Sequence, residues 1–123
     1  LLEMTAEHLR TRRQFGQPIG QFQALQHKLA DMAIAIKQAR STALLAAARV
    51  DSMDRAARRA AVSAAKVMAG RCGRTVGELA VHLHGGMGMT DEMPIGWYFK
   101  RLLAIDLLHG DADHHLDAFG AGT

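Results

Sequence analysis

Three groups of residues in this 123-residue chain have types and spacing that can do chemistry. The first is the run from His109 to His115, which reads His-Gly-Asp-Ala-Asp-His-His. Imidazole and carboxylate groups can serve as a general base or ligate a divalent metal. Consecutive His114 and His115 point to different sides of a helix, so the run reads less well as a metal site than as a polar helix start capped by Asp111. We assign no metal to it. The second group is Gly85-Gly86-Met87-Gly88. Glycines expose backbone N–H groups and let an anion such as a phosphate come close. No Lys-Ser/Thr follows and no strand precedes, so the run is neither a Walker loop nor a dinucleotide fingerprint, and a plain helix–helix turn also accounts for it. The third is Arg12-Arg13 ahead of Phe15-Gly16. Guanidinium groups suit bidentate phosphate contact, while a solvated helix end is the plainer alternative. Arg55, Arg58 and Arg59 read as a solvated helix face. His82 and His84 diverge by about 200° on a helix. No Ser-His-Asp or Cys-His arrangement is suggested.

The elements that must position these groups are helical. Leu1 to Arg13 reads as the tail of a helix, with cations at its C-terminal end. The stretch from Gln14 to Gly20 is a breaker with two Gly and one Pro. A long helix over about 21–50 follows, its seam Phe22, Leu25, Leu29, Met32 and Ile36 continuing as Ala39, Ala43 and Ala46. It would be ~45 Å long. A turn at 51–54 lets Asp51 or Ser52 cap a helix over about 54–83. Val62, Ala65, Ala69, Cys72, Val76, Leu79 and Leu83 form the seam of that helix. Cys72 therefore reads as a small core hydrophobe rather than a reactive thiol. Gly70, Gly73 and Gly77 each cost ~1 kcal/mol in a helix interior, which points to a close backbone approach or a kink. A helix over about 92–108, with Pro94 in its first turn, presents Ile95, Tyr98, Phe99, Leu102 and Ile105. A short helix to about Phe119 and a frayed tail end the chain.

Composition agrees with an all-α, up-down helical bundle. The chain is 49% hydrophobic and 5% aromatic, with 2 Pro, and helix formers outnumber β-branched residues. That length suits a single domain, 1–123. A formal charge of +3 is too small to imply nucleic acid. One Cys excludes an intrachain disulfide framework and a Cys-rich zinc module, with an intracellular location as the default. No run approaches a membrane span, and no signal peptide is visible. The chain opens inside a helix on Leu1, so a fragment of a longer protein is expected.

Two blocks carry a family resemblance. Arg12-Arg13-Gln14-Phe15-Gly16-Gln17-Pro18-Ile19, followed by Phe22-Gln23 and His27-Lys28-Leu29-Ala30-Asp31-Met32, resembles the acyl-CoA dehydrogenase C-terminal domain. So does His84-Gly85-Gly86-Met87-Gly88 followed by Glu92-Met93-Pro94-Ile95. The order and spacing match over nearly the whole chain. The resemblance implies a three-domain protein of which this is the last domain. It further implies FAD, α,β-dehydrogenation of an acyl-CoA thioester, reoxidation by an electron-transfer flavoprotein, and a cytoplasmic homo- or hetero-oligomer.

Site residues follow from the same resemblance. Arg12 matches an Arg that reaches the FAD diphosphate across a subunit interface, and Gln14 and Phe15 match flavin-contacting neighbours. Phe22 and Gln23 match a pair near the adenine side. Gly85 and Gly86 match a Gly pair that meets the partner subunit's FAD. His82 stands where the family usually has Gln, and imidazole cannot offer the amide's donor–acceptor pair. Fifteen residues after Pro94, where the family reads Glu-Gly-Thr, this chain reads His109-Gly110-Asp111. His109 thus replaces the catalytic base and Asp111 a flavin-binding Thr. Three readings follow. His109 is the base, or a Glu upstream of Leu1 is, or the chain is the non-catalytic partner in a heteromeric dehydrogenase. The second and third together are favoured. A non-enzymatic oligomerisation module is the alternative from another class.

Overall fold

A computed structural model of the chain describes residues 1–90 and 94–121. Helix α1 (Leu2–Thr11) leads into a two-residue-per-strand hairpin, β1 (Arg13–Gln14) and β2 (Gln17–Pro18). A 3₁₀ turn at Ile19–Gln21 follows. The long helices are α2 (Gln23–Arg49) and α3 (Arg55–His84), and a 3₁₀ segment at Gly85–Met89 precedes α4 (Ile95–Leu107) and α5 (Ala112–Gly120). The expected all-α bundle is what forms, with each helix within a few residues of its expected bounds. Glu92, the expected start of the fourth helix, lies outside the described residues.

Helix α3 is the axis, and α1, α2, α4 and α5 all pack on it. The α2–α3 interface is the most extensive, and the short connection between them makes the pair antiparallel. Two features of the sequence stop α2 and start α3. The chain turns at Val50–Asp54, where the Arg58 guanidinium donates to the Ser52 carbonyl at 2.9 Å. Asp54 then caps α3, its Oδ1 accepting from the N–H groups of Ala56 and Ala57, each at 3.0 Å. The cap is thus Asp54 rather than Asp51 or Ser52, because only a residue directly before the helix reaches the N2 and N3 donors. Ser52 instead accepts from the Asp54 N–H at 3.2 Å.

The core joins four helices through Leu9, Met32, Val76, Ala80, Leu83 and Ile95, all buried. Leu25, Leu29 and Ile36 pack against it, as the α2 seam requires. Cys72 also packs there, and burial pushes its thiol above the ordinary value, which disfavours the thiolate. The buried face of α3 departs from expectation. It runs through Ala61, Ser63, Val67, Gly70, Gly73, Val76, Gly77, Ala80 and Leu83, whereas Val62 and Ala69 are exposed. The glycines explain the shift. A Cβ at Gly70 would overlap the Asp106 carboxylate, and one at Gly77 the Phe99 ring, so α4 lies directly on the α3 backbone. On α4, Ile95 is buried, but Tyr98 and Ile105 are exposed instead of joining the apolar face. Ala43 is likewise exposed on α2.

Candidate functional site

The breaker after α1 is a tight hairpin with register Arg13↔Pro18 and Gln14↔Gln17. Its two central residues, Phe15 and Gly16, have φ of 52° and 79°. Positive φ at both positions suits the right-handed twist of a two-residue hairpin. Glycine adopts it freely, but a non-glycine residue there costs ~1–2 kcal/mol. Arg13 closes the turn by donating from Nη2 to the Gly16 carbonyl at 2.9 Å. The strain holds Phe15 out from the surface, 89% exposed, in edge-to-face contact with Phe22 at 6.0 Å. A large aromatic held in a strained, solvated position motivates a binding role.

Phe15 stands at the rim of a cavity of about 730 Å³. The end of α1 supplies His8 and Arg12, the hairpin Gln14 and Phe15, and the start of α2 Phe22 and Leu25. The end of α3 adds His82, Leu83 and His84, and the 3₁₀ segment adds Gly85, Gly86 and Met87. Helix α3 stops there because Gly85 takes φ of 62°. Nothing lies within 4 Å of a Cβ built on Gly85 or Gly86, so the backbone there borders open space. The sequence expectation of an open Gly loop becomes a 3₁₀ turn that continues α3. His82 is exposed and His84 buried, as their divergence on a helix requires.

Of the ten expected site residues, seven line this cavity: Arg12, Gln14, Phe15, Phe22, His82, Gly85 and Gly86. Gln23, the exposed first residue of α2, does not, although its neighbours Phe22 and Ala24 do. His109 and Asp111 lie elsewhere. Sequence reading missed His8 and His84. Their rings stack with centroids 4.4 Å apart. His84 Nδ1 lies 2.8 Å from the Ala80 carbonyl, and its Nε2 is buried without a partner among the described residues. Burial first, then the charges of His84 and Arg12, hold the His8 pKa below its ordinary value. The i, i+4 spacing of His8 and Arg12 on α1 was the one signal available.

A diphosphate-bearing flavin fits this donor set. The Arg12 guanidinium makes no hydrogen bond or ion pair among the described residues, and no carboxylate lines the cavity among them. Phe15 and Phe22 offer aromatic faces, and Ile19, Leu25 and Leu83 an apolar wall.

The profile of the acyl-CoA dehydrogenase C-terminal domain matches residues 1–122. This chain belongs to the acyl-CoA dehydrogenase family. It is 38% identical over 125 residues to acyl-CoA dehydrogenase FadE27 of Mycobacterium tuberculosis, covering 97% of this chain and 34% of that relative. The ChsE4-ChsE5 complex from Mycobacterium tuberculosis contains a chain of the same fold. There the TM-score is 0.89 at 38% identity, over 98% of this chain and 32% of the other. A structure described as an FAD-dependent dehydrogenase matches with a TM-score of 0.89 at 26% identity, over 98% and 32%. The chain thus spans about a third of the length of the relatives it matches.

A second region of the chain surrounds the α4–α5 turn. Lys66 of α3 donates from Nζ to the carbonyls of Ile105 and Asp106, at 3.2 and 2.7 Å, and so caps the end of α4. Asp106 is buried, with Oδ2 3.8 Å from Arg74 and Oδ1, against Gly70, unpartnered among the described residues. His109 takes φ of 62°, and its carbonyl accepts from His115 Nε2 at 2.9 Å. His115 Nδ1 in turn lies 3.4 Å from Ser63 Oγ. The His109 ring is exposed and makes no hydrogen bond among the described residues. Asp111 caps α5, its Oδ1 accepting from the His114 N–H at 2.8 Å. His114 and His115, expected to diverge, instead meet edge to face at 5.2 Å. The first turn of the helix brings His115 back over α3 and His114 over Gly110. No group of three or more His, Cys, Asp or Glu with metal-holding geometry occurs among the described residues. No helix among them is long and apolar enough to cross a membrane.

Proposed function

We propose that this domain is the C-terminal bundle of an FAD-dependent acyl-CoA dehydrogenase and forms one wall of a flavin site. The observation that supports this most is the convergence of Arg12, Gln14, Phe15, Phe22, His82, Gly85 and Gly86 on one cavity from three separate stretches of chain. Arg12 holds the diphosphate by charge and hydrogen bonds. Gly85 and Gly86 leave room for it to approach. Phe15 and Phe22 cover the flat parts of the cofactor and exclude water, with Gln23 flanking them at the start of α2. When bound, FAD supplies the hydride acceptor for α,β-dehydrogenation of an acyl-CoA thioester, and an electron-transfer flavoprotein accepts the electrons onward.

Two ends of α3 serve two different sites. His115, which holds His109, contacts Ser63, whereas the cavity begins at His82, so the two regions are separated by nineteen residues of helix, or ~28 Å. The cavity end meets a flavin held by a neighbouring subunit, while the His109 end, with Asp111 beside it, lies apart from it. This requires an oligomer. A hetero-oligomer is the favoured form, since the ChsE4-ChsE5 neighbour is a complex of two different chains. The base is assigned outside this chain, because His109 is placed by its backbone and its ring has no partner to orient it.

The test is the complete protein. It purifies with a flavin absorbance band, and Arg12→Gln and Gly86→Val reduce the FAD retained. A colourless protein, or full FAD retention in both variants, overturns the reading. His109→Ala leaves turnover unchanged, and loss of turnover with FAD retained would make His109 the base. The 123-residue domain alone oxidises no acyl-CoA.

A further inference from the structure

We propose that His8, one helical turn before Arg12, is a second contact for the phosphate group taken by this cavity and gains a proton when that group binds. The inference rests on the flavin-site reading above and assigns a role to a residue outside the expected set.

His8 and His84 lie ring to ring at 4.4 Å, on α1 and α3. His84 is the inner ring. It is 4% exposed, its Nδ1 lies 2.8 Å from the Ala80 carbonyl, and its Nε2 is sealed from solvent with no partner. The Ala80 carbonyl can only accept, so Nδ1 of the inner ring is committed as a donor to it, and Nε2 meets no partner among the described residues. His8 is the outer ring. It lines the cavity, is partly exposed, and its side chain makes no hydrogen bond among the described residues. Of the two rings, His8 is therefore the one whose nitrogens are open to a ligand in the cavity.

The groups facing His8 can be enumerated by element. Helix α1 contributes Arg12, and α3 contributes His82 and His84. The hairpin contributes Gln14 and Phe15, and the segment from Ile19 to Leu25 brings only non-ionisable side chains. Gly85, Gly86, Met87 and Thr90 add none. With no carboxylate among the described lining residues, no lining group balances a charge on His8. Burial, His84 and Arg12 accordingly push its pKa down. An anion placed between His8 and Arg12 reverses that balance, since it faces both cations at the C-terminal end of α1, where the helix dipole also favours positive charge. Proton uptake and phosphate binding are then linked, each strengthening the other.

The complete, assembled protein tests this with FAD as the probe, whose diphosphate keeps its charges between about pH 6 and pH 8. An unperturbed His titrates near pH 6.5, inside that window. FAD affinity is expected to weaken about tenfold from the acid to the alkaline end. Calorimetry at neutral pH in two buffers of different ionisation enthalpy is expected to show proton uptake on FAD binding. His8→Phe keeps the stack but flattens the pH dependence to within about twofold and abolishes the uptake. Arg12→Gln weakens FAD at every pH and keeps the slope. Absence of proton uptake in the unmodified protein, while Arg12→Gln still weakens FAD, overturns the role of His8 and leaves the flavin site standing. FAD affinity unchanged in both variants overturns the flavin site, and the proposal with it.

Discussion

Substituting Gly77 by Ala tests whether the contact of α4 with the α3 backbone sets the architecture. An added Cβ would lie 2.7 Å from Phe99 Cε2 and 2.8 Å from Cγ, and would overlap Cδ2. Carbon atoms prefer separations of ~3.5–4.0 Å, so the ring must move by about 1 Å. Overpacking of this kind costs ~1–3 kcal/mol, and three close ring atoms place the site at the upper end. Replacing Gly by Ala in a helix returns ~1 kcal/mol. The net expectation is a loss of about 1–2 kcal/mol. Gly73, one turn earlier, provides the control. There the nearest atom to an added Cβ is Leu102 Cβ at 3.4 Å, an ordinary contact, so Gly73→Ala retains most of the propensity gain. The same chemical change, four residues apart, should differ by about 2–3 kcal/mol and have opposite signs. Thermal unfolding of the complete protein, with hydrogen exchange over residues 95–107, reads both. Gly77→Ala should lower the midpoint and speed exchange in α4, which leads directly into the turn at His109. Equal midpoints, or greater damage from Gly73→Ala, would refute this packing of α4 on the α3 backbone.

Three further outcomes follow from the same structure. Asp54→Ala should cost about 1 kcal/mol in urea unfolding, as loss of an N-cap does, whereas Asp51→Ala should cost little because Asp51 makes no hydrogen bond among the described residues. Lys66→Met should leave the Asp106 carbonyl without its Lys66 donor, while the Ile105 carbonyl keeps the Leu108 N–H, at about 1–2 kcal/mol, and the last turn of α4 should exchange faster. Stability should depend on His8 below about pH 6.5. The unfolded chain protonates near 6.5, and the folded pKa is lower, so stability is full above that value and falls as pH drops through it. His8→Phe should make the urea midpoint less sensitive to pH in that window, and an unchanged slope would show that His8 carries none of it.

The helices were legible because apolar spacing on α2 is marked by large residues, Phe22, Leu25, Leu29, Met32 and Ile36. On α3 the periodicity misleads. Its innermost face is built from Ser63, Gly70, Gly73, Gly77 and Ala80, which no hydropathy pattern marks as interior. Their smallness admits Phe99, Leu102 and Asp106 against the backbone. The three costly glycines did signal a close approach, but the sequence could not say which side it was on. That side decided the outcome: Val62, given to the seam by spacing, ends up exposed because α4 and α5 pack on the glycine face.

The candidate site was legible in its residues and not in its assembly. Arg12, Phe15 and Gly85 were nameable from short motifs, yet nothing in their order says that the ends of α1 and α3 meet. That meeting depends on Leu9, Ala80 and Leu83 packing in one core. The hairpin shows the limit most plainly. A Gln-Phe-Gly-Gln run lacks the Asn-Gly or Asp-Gly signature of a two-residue turn, and a bulky aromatic is a poor choice for positive φ. Local preference argues against the conformation that Phe15 adopts. The turn is made instead by Gly16 and by the hydrogen bond from Arg13, and the cost falls on the residue that protrudes. His8 is the converse case. Its type is unremarkable on a helix surface, and only the stack on a buried, half-satisfied His84 turns it from a solvated side chain into a titrating group beside Arg12. Residues whose local chemistry conflicts with their placement are thus the ones that gather at this cavity, as expected where a scaffold gives up stability to hold a ligand.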